Sequence, residues 1–101
     1  MNRWYTIKAA DVRGAADISI YEEIGGFGVT AKQFAEDLKA LGDVSHINLR
    51  IHSPGGDVFE GIAIYNLLRN HPADITVYID GVAASMASVV AMAGDRVVMP
   101  E

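Results

Sequence analysis

Ile47-Asn48-Leu49-Arg50-Ile51-His52-Ser53-Pro54-Gly55-Gly56-Asp57-Val58 is the stretch on which the fold turns. Ile47, Leu49 and Ile51 alternate with Asn48, Arg50 and His52, the period-two pattern of a strand with one buried face. Ser53-Pro54-Gly55-Gly56 closes that strand, because proline presets φ for a turn and glycine supplies φ > 0. Asp57, followed three residues later by Glu60, is a capping-box pattern. It opens a helix over residues 58–70 with Val58, Ile62, Tyr65 and Leu68 on one side. His71-Pro72 ends the helix, since proline restricts the residue before it and cannot extend the ladder. The local unit is strand, tight turn, helix.

The same unit recurs on both sides. Upstream, Thr30 with Gln33 gives another capping box, and Phe34, Leu38 and Leu41 recur at helical spacing beside Ala31 and Ala35. Gly42 supplies a left-handed stop. Earlier still, residues 4–9 read as a short strand, Ala16, Ile18 and Ile20 mark a second, and Gly25-Gly26-Phe27-Gly28 reads as a loop. Downstream, Ile75, Val77 and Ile79 form the next strand, and Gly81 is expected to turn it. Residues 85–93 make a helix that is apolar almost all round, and so is expected to be buried on every side. Gly94-Asp95 ends it and residues 96–99 start another strand. This alternation implies an α/β fold with right-handed crossovers and a mainly parallel sheet. Ligands in such folds bind at the carboxyl ends of the strands. The loops at 53–56 and 81–85 both follow strands, and are therefore expected on one edge.

Composition narrows the function. At 101 residues, 50% hydrophobic and 21% charged, the chain is long enough for a single domain over 1–101 and too apolar to be disordered. Thirteen acidic against eight basic side chains, a net charge of −5, argue against a nucleic-acid partner, which needs clustered cations. With no cysteine there is neither a disulfide framework nor a thiolate ligand or nucleophile. No His, Asp and Glu grouping has metal-ligand spacing, so no metal and no other cofactor is expected. The first residues carry no apolar signal core, and the longest apolar stretch, 82–94, is broken by Ser85 and Ser88 and is too short to span a bilayer. A cytoplasmic protein with no membrane partner is expected.

Ser85 is the sharpest candidate for chemistry. It follows a strand and a glycine and begins a helix, where unpaired N–H groups favour developing negative charge. Taken alone, it reads as a helix cap. Gly55-Gly56, taken alone, is a turn. The functional alternative is a backbone without Cβ atoms that offers an N–H to a substrate carbonyl, with the N–H of Met86 as a second donor of an oxyanion hole. His46 and His71 read as solvated surface residues, and His52 alternates onto the polar face. Glu22, Glu23, Glu36 and Asp37 read as a solvated acidic face.

Ser53-Pro54-Gly55-Gly56-Asp57-Val58, then Gly61-Ile62-Ala63-Ile64-Tyr65, then Gly81-Val82-Ala83-Ala84-Ser85-Met86-Ala87 resembles the proteolytic subunit of the Clp protease, ClpP. The resemblance covers residues 47–100. The run Asp57-Val58-Phe59-Glu60-Gly61 is most similar to the phage and prophage branch, whose members are associated with head maturation. The resemblance implies a ClpP/crotonase-like fold of repeated β-β-α units and a serine peptidase acting through an acyl-enzyme. Ser85 aligns with the nucleophile, and Gly56 and Met86 with the backbone donors of the oxyanion hole. It also implies a polypeptide substrate, a ring-type homo-oligomer and, in the parent family, a Clp ATPase partner. The family's catalytic His lies on the strand after the one ending near Met99, and its Asp further on. Neither has a counterpart within these 101 residues. His52 stands where the family carries Asn, and does not fill the gap. The chain is therefore expected to be an N-terminal fragment, truncated after the strand ending near Met99 and inactive in isolation.

Three rivals remain in view. A catalytically inactive structural or scaffolding subunit keeps the fold without the chemistry. A crotonase-type acyl-CoA enzyme shares the fold and a two-amide hole but has no use for a serine at position 85. A signal peptide peptidase A-like Ser/Lys enzyme has small residues where Met86 stands, and belongs at membranes.

Overall fold

Among the described residues the elements run β1 (Tyr5–Ala9), β2 (Ala15–Ile20), α1 (Ala31–Ala40), β3 (His46–Ser53), α2 (Val58–Arg69), β4 (Asp74–Ala83), α3 (Met86–Ala91) and β5 (Arg96–Val98). The computed structural model describes residues 4–11, 13–26, 30–53, 55–83 and 86–99. The strands form one sheet in the order β1-β2-β3-β4-β5; β1 and β2 pair antiparallel and the other three pairings are parallel. Each parallel pairing is reached by a crossover helix, as the strand–helix alternation requires.

Register explains which face is buried. Ala16, Ile18 and Ile20 pair with Ile47, Leu49 and Ile51, and Ile47, Leu49 and Ile51 pair with Ile75, Val77 and Ile79. This apolar face meets Phe34 and Leu38 of α1, Ile64 and Leu68 of α2, and Ala87, Val90 and Ala91 of α3 in one core. Phe34 anchors the β1 end, stacking 6.0 Å from Trp4 and lying edge-on 5.0 Å from Tyr5. The opposite face is a polar lattice. Asn48 donates to Asp17 at 3.2 Å, Arg50 to Asp80 at 3.0 Å and Tyr21 to Asp80 at 3.1 Å, while the Arg50 guanidinium lies 4.8 Å over the Tyr78 ring. A mainly parallel sheet usually has helices on both faces; here the polar alternation lets one face stay wet.

The helix ends follow the expected residues with one difference. Thr30 caps α1 through the Gln33 N–H, and Asp57 caps α2 through the Glu60 N–H at 2.9 Å. Neither box closes. The Gln33 side chain donates to Asp37 at 3.4 Å, and the Glu60 carboxylate accepts from the Ala31 N–H at the start of α1. Glu60 thereby ties the two helix starts together. Gly42, at φ +76, ends α1 with its N–H on Lys39 O at 3.1 Å.

Four expectations need correction. In α2 the buried line is Gly61, Ile64 and Leu68, while Val58 and Ile62 are about half exposed. Of the expected side, Leu68 is buried and Tyr65 packs against the core, but the first two turns reach the core through Gly61 and Ile64 instead of Val58 and Ile62. Gly81 does not turn β4, which runs on to Ala83. From Ile51↔Ile79 to Ser53↔Ala83, β3 advances two residues and β4 four, so this stretch is a bulge, a common place for a glycine inside a strand. The third helix is buried on one side only: Ala87 and Val90 are inside, but Val89 is 38% exposed and Met92, just beyond it, is 70% exposed. Asp37 is not part of a solvated acidic face, because it accepts from Tyr5 OH at 2.6 Å. Of the loop at 25–28, Gly25 and Gly26 are described and Phe27 and Gly28 lie outside the described residues. Among those described, no helix is long and apolar enough to cross a membrane.

Candidate active site

The turn after β3 is held by its own strand and by a strap arriving from β2. Ser53, the last residue of β3, is 1% exposed and is directed to the core side, opposite His52. Its hydroxyl oxygen lies 2.7 Å from Glu22 O and 3.3 Å from Gly55 O, and accepts from the Gly55 N–H at 3.2 Å. Two residues past Glu22, Ile24 forms a parallel bridge with Gly56: the Ile24 N–H donates to Gly55 O at 2.7 Å, and the Asp57 N–H donates to Ile24 O at 3.0 Å.

That bridge decides what Gly56 can do. In a parallel bridge the flanking groups, here Gly55 C=O and Asp57 N–H, face the strap, and the bridging residue's own N–H faces away. No described residue accepts from the Gly56 N–H. The close approach also explains the glycine. Gly56 sits at φ +146, and a Cβ there would lie 2.5 Å from Ile24 N and 2.9 Å from Ile24 C, closer still to Ile24 O. No side chain fits between strap and turn. A two-glycine turn signals this in sequence, but Ile24 as the partner does not, because a lone bridging residue leaves no periodic pattern.

The end of β4 lies beside the end of β3. Ser53 pairs with Ala83, so β3 and β4 end side by side on one edge of the sheet, as the two-loop arrangement requires. Met86 is the first residue of α3, three positions beyond Ala83. Ser85, like Pro54, lies outside the described residues.

The histidines are occupied elsewhere. His52 lies on the polar face with its ring 6.5 Å from that of Tyr21. His46 is half-buried, with Nε2 3.0 Å from Asn48 Oδ1 and Nδ1 3.4 Å from Asp74. His71 Nδ1 accepts the Ala73 N–H at 3.0 Å, so that nitrogen is an acceptor closing the turn before β4. Among the described residues no three His, Asp or Glu side chains group to hold a metal ion. A hollow of about 860 Å³ between α1 and α2 is floored by Ala31, Ala35, Leu38, Ala63 and Leu67 and is lined by no residue of the glycine turn.

The family described as Clp protease matches residues 2–101. The chain belongs to the Clp protease family. An ATP-dependent Clp protease proteolytic subunit from Ligilactobacillus salivarius is 44% identical over 59 residues, covering 58% of this chain and 30% of that protein. An uncharacterised protein of Methanocaldococcus jannaschii is 34% identical over 89 residues, covering 79% of this chain and 31% of the other. Among solved structures, a ClpP1 variant from Listeria monocytogenes superposes with a TM-score of 0.68 at 25% identity, over 77% of this chain and 46% of that one. An enoyl-CoA hydratase from Mycobacterium ulcerans gives 0.73 at 16% identity, over 94% and 51%. At that identity the likeness is one of fold, and it establishes the ClpP/crotonase architecture. This member of the Clp protease family spans about 30% of the length of the two curated relatives compared.

Proposed function

We propose that this chain carries the nucleophile and oxyanion-hole portion of a serine-type endopeptidase. Ser85 is the nucleophile, and the backbone N–H groups of Gly56 and Met86 are the two donors. The observation that carries the reading is the Gly56 N–H, turned away from the Ile24 strap with no acceptor among the described residues. Family membership and the adjacent ends of β3 and β4 support it.

In this reading the Ser85 oxygen adds to the scissile carbonyl of a polypeptide and its proton passes to a base. The carbonyl oxygen, now negative, takes hydrogen bonds from the two amides. The C–N bond then breaks as the amine takes up a proton, and water hydrolyses the ester. Losing one donor of such a hole costs about 10²–10³ in rate. The resemblance assigns none of these 101 residues as the base, so the isolated polypeptide turns peptides over slowly or not at all. A cytoplasmic enzyme assembled as a ring of identical subunits is the setting proposed, and the phage-type branch, with or without an ATPase partner, is its subclass.

A peptidyl boronic acid tests the site without requiring turnover, because its adduct is tetrahedral and anionic. Titrated into the 101-residue chain, it is expected to shift the Gly56 and Met86 amide resonances, and to leave them in place in Ser85→Ala. Unmoved amides in the unsubstituted chain would sink the assignment. So would peptide hydrolysis that survives Ser85→Ala.

A further inference from the structure

Ser53 is a buried hydroxyl for which the peptidase reading has no use. It is 1% exposed, faces the core side of β3, and spends its hydrogen-bonding capacity on the backbone of the strap and the turn. We propose that Ser53 is a positioning residue that aims the Gly56 N–H. The inference rests on the reading of Gly56 as an oxyanion-hole donor and deepens it.

The argument is geometric. The Gly55 C=O and the Gly56 N–H belong to one planar trans peptide and point in opposite directions. Whatever fixes the carbonyl therefore aims the N–H. The carbonyl is held by Ile24 N–H at 2.7 Å. Gly55 carries φ +115 and Gly56 φ +146, and two adjacent glycines have wide conformational freedom. One hydrogen bond to the strap leaves that plane free to swing about the strap contact. Ser53 removes the freedom at the other end: its oxygen accepts the Gly55 N–H at 3.2 Å, and its single proton goes to Glu22 O, the nearer acceptor at 2.7 Å. The Gly55 residue is thus pinned through both peptide planes, one to the strap at Ile24 and one through Ser53 to the strap at Glu22. Polarisation acts in the same sense, since a carbonyl that accepts a hydrogen bond makes the N–H of its own peptide a better donor.

A buried serine that only filled space would be replaceable by alanine without consequence for the turn. The test is a series of amide spectra of the 101-residue chain carrying Ser53→Ala, Ser53→Thr and Ser53→Cys, with the boronic acid titration repeated on each. In Ser53→Ala the Gly55 and Gly56 resonances are expected to move and the Gly55 amide to exchange about tenfold faster, while the Trp4 indole resonance stays put. Threonine, which keeps the hydroxyl, is expected to restore both glycine signals. Boronic acid affinity is expected to fall about tenfold in Ser53→Ala and to recover in Ser53→Thr. If Ser53→Ala does not fold, Ser53→Cys, of similar shape and poor hydrogen bonding, is expected to give the same glycine shifts. Glycine resonances that stay in place in a folded alanine or cysteine variant overturn the proposal. An unsubstituted chain that does not bind the boronic acid defeats the peptidase reading instead, and the glycine signals then decide the Ser53 proposal by themselves.

Discussion

Gly56→Ala separates a crowded glycine from a merely left-handed one. The added methyl collides with the main chain of Ile24, which lies within 2.9 Å at both N and C. Backbone cannot rotate aside as a side chain can, so the strap must lift. Lifting it breaks the bonds from Ile24 N to Gly55 O and from Asp57 N to Ile24 O. Each is worth about 1 kcal/mol net, and alanine at such a φ adds about 1–3 kcal/mol of strain. The expected loss is about 3–5 kcal/mol, a large part of the stability of a domain of this size. Gly42→Ala is the control: Gly42 also has positive φ, at +76, but a Cβ there meets nothing within 4 Å. Its cost is the conformational one alone, about 1–2 kcal/mol. Urea titrations followed by circular dichroism give both numbers on one scale, and in thermal melts the central difference of about 2.5 kcal/mol should separate the two midpoints by about 10–20 °C. If the two variants unfold within about 0.5 kcal/mol of each other, the strap does not clamp the turn and the reasoning fails.

Phe34→Ala empties the fully buried contact between Trp4, Tyr5 and α1, and should cost about 3–5 kcal/mol with a red shift of Trp4 fluorescence. Glu60→Gln removes the charge that receives the Ala31 N–H; a loss of about 1 kcal/mol is expected, with faster amide exchange at the start of α1 rather than of α2. Phe59→Ser should change stability by less than about 0.5 kcal/mol, because Phe59 is 84% exposed and in no core contact. Sedimentation of the 101-residue chain should show self-association, since Met92 at 70% and Met99 at 67% exposure leave the α3–β5 end apolar; Met92→Gln with Met99→Gln should weaken it, and a monomer at all concentrations refutes it.

The strands and caps were legible because their signals are local. Ile47, Leu49 and Ile51 announce a strand through alternation, and Thr30, Asp57 and Gly42 mark helix ends by chemistry confined to a turn. What escaped depends on partners far along the chain. Gly81 reads as a turn until the extra residues of β4 are set against β3, where it falls in a bulge. Glu60 reads as half of its own capping box, and only the proximity of α1 gives its carboxylate a different donor. Val58 and Ile62 share a side of α2 with Leu68 in the sequence pattern, but the core is reached along Gly61, Ile64 and Leu68, and which side of a helix meets a sheet is settled by the sheet. Of the candidate site, the glycine pair was legible. The Ile24 strap was not, because hydrogen bonds between main-chain atoms are written in no residue type, and neither was the Ser53 hydroxyl, whose acceptor, Glu22 O, comes from a distant part of the chain.

The group that Gly56 presents belongs to the polymer and to no side chain, and this changes how the position can be interrogated. Replacing the residue by anything but proline alters the room around that hydrogen without removing it, and proline removes it only by adding a ring, so every coded substitution confounds crowding with chemistry. An ester linkage between residues 55 and 56, oxygen standing in for nitrogen, would delete the hydrogen and keep the shape. Drift in such a turn is therefore restrained by volume, and the chemistry it offers is carried by an atom that every coded residue except proline supplies.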